Sequence, residues 1–310
     1  MRLSDRIGRR MKLQDLHVLM TVVQAGSMNK AAGLLNTTQP AVSRSIAELE
    51  HTFGIPLLDR HQHGVAPTAY GRALLERCVS AFDELRQGVK NIEHLADPTA
   101  GEVRIGATGA LAAGFVSGIV EQLARQYPRI VFHVEGEDSD GLFNELHCRN
   151  LDFLIVRQSA AANDKRVNFE TLFSDSYVVA AGLEHPLARR RKVGLAEIVQ
   201  ERWAMPLPGT AAAATANQAF RASGVEFPSA SVFARPEVRM NLVMTGRFMS
   251  IFSELRLLLA RSPAAILPVQ LPTAPVPSGI VTLKNRTLSP VALLFIEAAR
   301  KIAKPLAKRT

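Results

Sequence analysis

The chain has 310 residues, of which 47 % are hydrophobic and 21 % are charged, the balance of a folded globular protein. These proportions exclude a disordered, collagen-like or purely coiled-coil chain, and the length predicts two or three domains. The formal charge of +9 favours a polyanionic partner, although net charge alone does not identify one. Residues 1–98 carry only 12 Lys and Arg against 10 Asp and Glu, so nucleic-acid binding by this part would depend on the placement of individual charges.

Two helices are predicted before residue 36. Residues 13–25 place apolar side chains at three- and four-residue spacing, which is typical of an amphipathic helix: Leu13, Leu16, Leu19 and Val23. Gly26 ends this helix. The hydroxyl of Ser27 is placed to cap a short second helix over residues 28–35.

A third helix is predicted over residues 39–53, after a tight turn at residues 36–37. Thr38 is placed to cap this helix. Pro40 falls in its first turn, where the missing N–H group removes no intrahelical hydrogen bond.

The second and third helices have the spacing of a helix-turn-helix pair. Small side chains at Ala31 and Ala32 permit close packing, and the third helix turns an apolar face inward with Val42, Ile46 and Leu49. Near its N-terminus the outer face presents Gln39, Ser43 and Arg44. Such side chains can reach base edges in a major groove. An ordinary helical hairpin with a polar solvent face remains the alternative.

Residues 54–68 are predicted to form a small β wing. Leu57-Leu58 and Val65 supply two short strands around a tip that contains His61 and His63. Arg60 and these histidines lie where a wing meets phosphate or a minor groove. An exposed loop is favoured over a metal site for the two histidines, because no third ligand is near in the sequence.

The run AGSMNKAAGLLNTTQPAVSRSIAELEHTFGIPLLDRHQHGVAPTAYG resembles the winged helix-turn-helix of LysR-type transcriptional regulators. It matches the family pattern S-x-x-x-A-A-x-x-L-x-x-[ST]-Q-[PS]-A-[VL]-S-x-x-I-x-x-L-E-x-x-[LF]-G-x-x-L-[FL]-x-R almost throughout, from Ser27 to Arg60, and again at Thr68 and Gly71. The resemblance extends from Met11 to near the end of the chain. It implies that residues 1–10 are an extension or a mis-assigned start.

The resemblance also implies which residues contact DNA. The helix-turn-helix motif runs from Met28 to Ala47, and its base and backbone contacts correspond to Gln39, Pro40, Ser43 and Arg44. Ser27 and Thr38 correspond to phosphate contacts at helix starts, and Arg60 and Thr68 to the wing. One departure stands in the wing, where residues 61–63 read His-Gln-His and many members carry a second arginine.

A long linker helix is predicted over residues 68–97. Its apolar residues alternate at three- and four-residue spacing, which forms a heptad seam: Leu75, Cys78, Phe82, Leu85, Val89, Ile92 and Ala96. The seam predicts pairing with a second copy and makes Cys78 a small apolar packing residue. A single amphipathic helix packed on its own domain is the alternative. The resemblance implies a dimerisation helix, and residues 97–101 form a hinge after it.

The remaining residues predict an α/β fold with two lobes. Strands at 102–107, 130–135 and 151–156 alternate with helices at 111–126 and 139–149, which predicts a parallel sheet. A second series follows, with strands at 177–181, 203–205, 231–234, 249–252 and 280–283 and helices at 195–200, 211–223, 236–245, 255–259 and 289–307.

The chain is expected to cross between lobes near 158–168 and 262–278. The predicted domains are therefore 11–68 (winged helix-turn-helix), 69–97 (linker helix) and 98–310 (a two-lobed effector domain resembling periplasmic binding proteins). Lobe I covers about 101–158 and 279–310, and lobe II about 168–262.

Ligands of open α/β sheets bind beyond the carboxyl ends of the strands, often at helix N-termini. Three loops are therefore candidates for an effector site, and the resemblance places such a site between the lobes. They contribute Thr108 and Gly109, then Leu207 and Thr210, then Phe248 and Met249. Each has a plain structural alternative as a cap, a loop or a core residue.

Other polar residues have plainer interpretations. The acidic cluster of Glu135, Glu137, Asp138 and Asp140 is interpreted as a solvated loop rather than a metal site. Asp152 and Arg157 flank a predicted strand and are interpreted as interlobe or surface ion pairs.

The function expected from these features is sequence-specific transcriptional regulation. No enzyme motif, cofactor motif or metal-ligand spacing is found in the sequence. The expected partners are double-stranded promoter DNA, RNA polymerase, a second copy in a homodimer or homotetramer, and a small effector that is an organic acid, an aromatic compound or a sugar. Two alternatives remain, a small-molecule-binding protein whose N-terminal helices serve assembly and a nonspecific architectural DNA binder.

The compartment is expected to be cytoplasmic. The basic N-terminus lacks the apolar segment of a secretory signal, and no apolar stretch is long enough to span a membrane. Two cysteines, Cys78 and Cys148, do not make a disulfide framework.

Overall fold

The computed structural model of the protein describes residues 11–61, 64–136, 139–259 and 263–308. The chain divides into two compact units, Met1–Val89 and Lys90–Thr310. Among the described residues, no helix has the length and apolarity needed to cross a membrane.

The first unit is a three-helix bundle followed by a β hairpin and the start of a long helix. Its elements are α1 (Leu13–Ala25), α2 (Met28–Leu34), α3 (Gln39–Phe53), β1 (Leu58–His61), β2 (Gly64–Pro67) and α4 (Ala69–Ala96). Their apolar faces share one core, which buries Leu19, Ala31, Ala32, Val42, Ile46 and Leu49. The predicted helix-turn-helix packing is therefore present.

The starts of the second and third helices differ in how they are capped. Ser27 caps α2, and its hydroxyl accepts a hydrogen bond from the Lys30 N–H at 3.5 Å. Thr38 occupies the N-cap position of α3 but makes no side-chain cap bond, so the predicted cap is wrong. Pro40 follows two residues later and has no N–H group, which removes one of the two donors that a capping hydroxyl can use.

Polar contacts fix the hairpin against the bundle. The Glu50 carboxylate accepts hydrogen bonds from the Leu57 and Leu58 N–H groups at 2.7 and 3.1 Å. The Val65 N–H donates to the Gly26 carbonyl at 2.9 Å. The strands β1 and β2 pair antiparallel as the predicted wing, whose tip residues Gln62 and His63 lie outside the described residues.

The long helix α4 uses its apolar seam in two ways. Leu75, Cys78 and Phe82 pack into the core of the first unit, so the alternative of intradomain packing holds for this half. Burial raises the pKa of the Cys78 thiol. Farther along the helix, the exposed fractions of Leu85, Val89 and Ile92 are 51, 54 and 68 %, respectively. The second half of α4 therefore presents an exposed apolar face among the residues that the structure describes.

The second unit contains a five-stranded sheet that forms the first lobe. Its strands are β3 (Ala100–Ala107), β4 (Arg129–Glu135), β5 (Phe153–Arg157), β6 (Val167–Asp175) and β12 (Val276–Leu283), in the spatial order β4-β3-β5-β12-β6. Strands β4, β3 and β5 are parallel, whereas β12 runs antiparallel to both of its neighbours. The three strands that the sequence predicted to be parallel are so, and the sheet as a whole is mixed because β12 and β6 join it.

Helices cover both faces of this sheet. They are α5 (Gly109–Leu111), a π-helical turn (Ala112–Val116), α6 (Ser117–Gln126), α7 (Ser139–His147) and α12 (Pro290–Ala307). Successive residues of β5 alternate between two cores, because Phe153 and Ile155 face the core with α6 and α12 while Leu154 and Val156 face the core with α7.

A second five-stranded sheet forms the other lobe. Its strands are β7 (Tyr177–Gly182), β8 (Trp203–Pro206), β9 (Ala230–Ala234), β10 (Met249–Ser253) and β11 (Ala264–Ile266), in the order β11-β7-β10-β8-β9. The helices of this part are α8 (Leu195–Ile198), α9 (Ala211–Ala222), α10 (Pro236–Met244) and α11 (Glu254–Leu259). Helix α11 joins the two cores, since Leu255 packs with the first lobe and Leu257 with the second.

The first predicted crossing between lobes is misplaced by one strand. Residues 167–175 form β6, which pairs with β12 in the first sheet, so the second sheet begins at Tyr177 and not near residue 168. The returning strand β12 likewise begins at Val276, four residues before the predicted start. Strand β11 was not predicted at all.

Candidate nucleic-acid interface and effector cleft

The N-terminal end of α3 exposes a polar surface opposite its buried face. Gln39, Pro40 and Arg44 are exposed and Ser43 is half-buried, while Val42 and Ile46 are 1 and 0 % exposed. The helical repeat produces this division, because residues three or four apart share a face. An arginine, a glutamine and a serine held on one exposed helix end can donate to and accept from base edges.

The other residues that the sequence predicts to contact DNA differ in exposure and in how far their polar groups are already hydrogen-bonded. Thr38 and Arg60 are exposed, and Ser27 is half-buried at its cap. The Thr68 hydroxyl is committed to the fold, because it donates to the Pro56 carbonyl at 2.9 Å and accepts from the Gly71 N–H at 3.0 Å. Thr68 therefore holds the junction of the wing and α4.

In the first lobe, the carboxyl ends of β3 and β5 lie side by side at one edge of the sheet, and the sequence analysis named a residue at each of them. Thr108 follows the carboxyl end of β3, and Arg157 ends the parallel neighbour β5, whose Ile155 lies opposite Ala107. Gly109 then begins α5. Thr108 and Arg157 are therefore adjacent at the edge where ligands of α/β sheets bind.

The loop after β8 is held by hydrogen bonds of the Thr210 hydroxyl within the loop and the start of α9. The Thr210 hydroxyl donates to the Leu207 carbonyl at 2.8 Å and accepts from the Ala213 N–H at 3.3 Å, which caps α9. Leu207 is 36 % exposed. Both residues lie beyond the carboxyl end of β8, as predicted.

Phe248 and Met249 do not join that edge. Met249 begins β10, lies opposite Trp203 at the start of β8, and is completely buried. Leu207 follows the other end of β8, about 10 Å farther along the strand at the usual rise per residue. The prediction that Phe248 and Met249 line the cleft is therefore wrong, and the residue of β10 at the cleft edge is Ser253.

A buried polar group that the sequence analysis did not assemble lies at the connection between lobes. The Arg157 guanidinium donates to Asp175, and it stacks over the Tyr177 ring at 4.3 Å from the ring centroid. Asp175 also accepts from the Ser253 hydroxyl at 2.6 Å and from the Leu255 N–H at 3.2 Å. One carboxylate thus ties the first sheet to β10 and α11.

The sequence does contain a pattern that could have placed Asp175. Apolar residues alternate at Val167, Phe169 and Phe173, which is typical of a strand that ends at residue 175. Without that strand, no sequence pattern joins Asp175 to Arg157. Burial raises the pKa of the Tyr177 phenol, while the guanidiniums of Arg157 and Arg239 act in the opposite direction.

Arg239 of α10 is the most buried cation of this region. It is 3 % exposed and donates to the Ser250 hydroxyl at 2.8 Å and to the Ile251 carbonyl at 2.6 Å. Its guanidinium lies 4.8 Å from the Phe252 ring centroid. Burial, together with the nearby charge of Arg256, lowers the pKa of Arg239 to about 10, so the side chain remains protonated at neutral pH.

Of the two ion-pair residues that flank β5, Arg157 is half-buried in its pair with Asp175, and Asp152 is buried. Asp152 accepts from Arg286 at 3.2 Å, and the side chains are 3 and 2 % exposed. This pair belongs to the first lobe alone. Among the described residues, no group of three or more His, Cys, Asp or Glu side chains is arranged to hold a metal ion, and Glu137, Asp138 and His63 lie outside them.

A winged helix-turn-helix followed by a two-lobed α/β domain defines a class of DNA-binding proteins that also carry a ligand-binding module. Family models support both parts. The model for the bacterial regulatory helix-turn-helix protein of the lysR family matches residues 13–72, and the model for the LysR substrate binding domain matches residues 96–304. The chain belongs to the LysR family of DNA-binding transcriptional regulators, which are not enzymes.

Individual relatives agree with the family. The uncharacterized HTH-type transcriptional regulator YybE of Bacillus subtilis (strain 168) is 29 % identical over 285 residues, which span 92 % of this chain and 97 % of that protein. The crystal structure of full-length CbnR complexed with its target DNA is 20 % identical, with a TM-score of 0.55, and covers 95 % of this chain and 100 % of CbnR.

The second unit has a relative of its own among solved structures. The effector binding domain of QuiR in complex with shikimate is 18 % identical with a TM-score of 0.54, and it covers 66 % of this chain and 98 % of that domain. At this identity the likeness concerns the fold.

Proposed function

We propose that the protein reads a promoter sequence with the exposed end of α3, as a dimer paired through α4, under the control of a small molecule held between the lobes. The proposed domains are 11–68 for DNA, 69–97 for pairing and 98–310 for the effector. The observation that carries the proposal is the solvent exposure of Gln39 and Arg44 directly opposite the buried Val42 and Ile46.

The proposed contacts follow from what each side chain can donate. Arg44, Gln39 and Ser43 read base edges, Pro40 packs against the groove wall, and Ser27, Thr38 and Arg60 contact phosphates. Thr68 is left out of this set, because both hydrogen-bonding functions of its hydroxyl are used within the unit. Thr108, Gly109, Leu207 and Thr210 are proposed to line the effector cleft at the carboxyl ends of β3 and β8.

The assembly and the wider partners belong to the same proposal. A symmetric dimer presents two recognition helices to two half-sites, and two such dimers form a tetramer. Effector binding shifts the balance between two quaternary arrangements, which changes contact with RNA polymerase. The CbnR–DNA and QuiR–shikimate complexes support the two ligand classes, and the cytoplasm is the proposed compartment because promoter DNA lies there.

The test is a comparison of Arg44→Ala with Arg77→Ala on DNA that the wild-type protein selects from a random library. Removing a base-reading arginine is expected to weaken binding about tenfold or more and to reduce selectivity against a scrambled sequence. Arg77 is an exposed arginine of α4 outside the motif, so its removal is the matched control. Unchanged affinity and selectivity of Arg44→Ala would overturn the assignment of α3.

A further inference from the structure

Three arginines form a buried cluster where the two lobes join, and we name Arg157, Arg239 and Arg256 the arginine cluster. Arg157 ends β5 of the first lobe, Arg239 lies in α10, and Arg256 lies in α11. Arg239 is 3 % exposed, and the side chains of Arg157 and Arg256 are 13 and 12 % exposed. Arginine is rarely buried to this extent without full pairing.

The cluster has a continuous framework. Asp175 contacts the Arg157 guanidinium and the Ser253 hydroxyl, and that same hydroxyl accepts from the Arg256 backbone N–H at 3.2 Å. Tyr177 stacks under Arg157 and lies close enough to Arg239 for that charge to affect the titration of its phenol. Arg157 therefore contacts both Asp175 and Tyr177, and the charges of Arg239 and Arg256 lie close enough to affect Tyr177 and Arg239, respectively.

Several N–H groups of the cluster are buried with no acceptor among the residues that the structure describes. They are Nε and Nη1 of Arg157, Nε of Arg239 and Nη1 of Arg256. The hydroxyls of Ser159 and Ser278, which are near Arg157 in the chain or across the β5–β12 ladder, are likewise without a partner in the described part of the chain. The arginine N–H groups can only donate, so what they lack is an acceptor, and the two hydroxyls can donate to the same acceptor.

The charges also leave a positive excess. Of the carboxylates in contact with the three guanidiniums, Asp175 is buried, whereas Glu237 pairs with Arg256 at 3.4 Å and is 67 % exposed. Burying an ion without a partner is strongly unfavourable, and orphaned donors add to the cost. An anion with several oxygens removes both penalties at once.

We propose that the arginine cluster binds the acidic group of the effector, a carboxylate or a phosphate-type oxyanion. This inference rests on the proposed function, in which a small molecule binds between the lobes. The planar fork of a guanidinium matches the paired oxygens of such groups. Neutral sugars and uncharged aromatic compounds have no oxyanion to offer and are excluded as effectors by this proposal.

The position of the cluster suits control of the lobes. Arg157 shares the sheet edge with Thr108, and α11, which carries Arg256, packs against α5 and the π-helical turn that follow Thr108. An acid held by both Arg157 and Arg256 bridges the first lobe to α11. The rest of the effector then extends from its acidic group toward the sheet edge at Thr108.

The experiment measures thermal stability of the full-length protein against oxyanion concentration at constant ionic strength set by chloride. The probes are phosphate, sulfate, acetate, succinate and benzoate, with benzamide and glucose as neutral counterparts. At least one oxyanion is expected to raise Tm along a saturating curve by about 3 °C or more, and the neutral probes are not. Comparing phosphate with the carboxylates distinguishes the two sources of the acidic group.

Arg157→Gln and Arg256→Gln are expected to weaken the oxyanion response about tenfold or more, because each removes a charge-assisted donor. Arg256→Lys keeps the charge and is expected to retain part of it. The control Arg125→Gln removes a side chain that is 78 % exposed and is expected to respond like the wild type. Binding of the selected DNA in the absence of probes confirms that each variant is folded.

Two results would overturn the proposal. One is that no oxyanion gives a saturating rise in the Tm of the wild type. The other is that Arg157→Gln and Arg256→Gln respond to oxyanions as strongly as the wild type does. The same preparations separate this failure from failure of the proposed function. If sequence-selective DNA binding persists while oxyanions do not bind, only the acidic effector is wrong. If DNA selectivity is also missing, the proposed function fails.

Discussion

Gly71 is a residue whose identity is dictated by a single close approach. A Cβ built at this position would lie 2.0 Å from the Leu57 carbonyl oxygen, which is backbone and cannot rotate away. Gly71→Ala is therefore expected to destabilise the first unit by about 1–3 kcal/mol or more through overpacking. The measurement is the free energy of unfolding from denaturant titration of the full chain.

Gly33 supplies the control for this residue. It lies in α2, where a Cβ would meet nothing within 4 Å. Gly33→Ala should therefore leave stability unchanged or raise it by up to about 1 kcal/mol, since alanine favours helix. If both substitutions had the same effect, the packing of α4 against the wing would not be what requires glycine at position 71.

How far individual residues could be foreseen depends on the distance over which they act. Gln39, Ser43 and Arg44 share a helix face with a local register, so spacing alone places them on the surface of α3. Asp175 acquires its significance only when β6 lies beside Arg157 and Ser253, and Arg239 only when α10 packs on β10, so both depend on contacts between distant parts of the chain. The spacing of apolar residues within one element does not predict such long-range contacts.

At the scale of elements, the second half of α4 presents an exposed apolar face. Leu85, Val89 and Ile92 follow one another on one face and are all more than half exposed. Leu85→Glu combined with Val89→Glu is expected to dissociate the proposed dimer at micromolar concentration, because each lost apolar contact is worth about 1.5–3 kcal/mol. Sedimentation velocity reports the oligomeric state.

The charge reversal Arg77→Glu introduces the same carboxylate on an exposed position of α4 outside the seam. It should leave the assembly intact. A double variant that sediments like the wild type would show that pairing uses another surface.

Elements with a strong local apolar pattern were predicted well, whereas the strands β6 and β11 were missed. The three helices of the first unit and the strands β3 to β5 have continuous apolar periodicity, and the structure places them within a few residues of the predicted bounds. Strand β6 reads VNFETLFSD, in which polar residues separate the apolar ones, so its apolar pattern is less continuous than that of β4 (RIVFHVE). Missing β6 displaced the lobe boundary. Phe248 and Met249 were misassigned because spacing does not tell which end of a strand faces the cleft.

For the whole molecule, the question is which charges engage DNA. The net charge is +9, but most of the excess lies after residue 98, including the exposed run Arg189, Arg190, Arg191 and Lys192. If bulk charge governed binding, removing part of this run would weaken it. If local placement governs binding, only phosphate-contacting residues of the first unit matter, such as Arg60.

The salt dependence of binding decides between these cases, because each phosphate contact contributes about −0.9 to the slope of log K against log salt concentration. A wild-type slope of roughly −5 or steeper is expected for six or more contacts. Arg60→Ala should make the slope shallower by about 1 for each protomer bound, with equal loss of affinity for selected and scrambled DNA. The double variant Arg191→Ala, Lys192→Ala should match the wild-type slope, and a reversed pattern would mean that the second unit supplies the phosphate contacts.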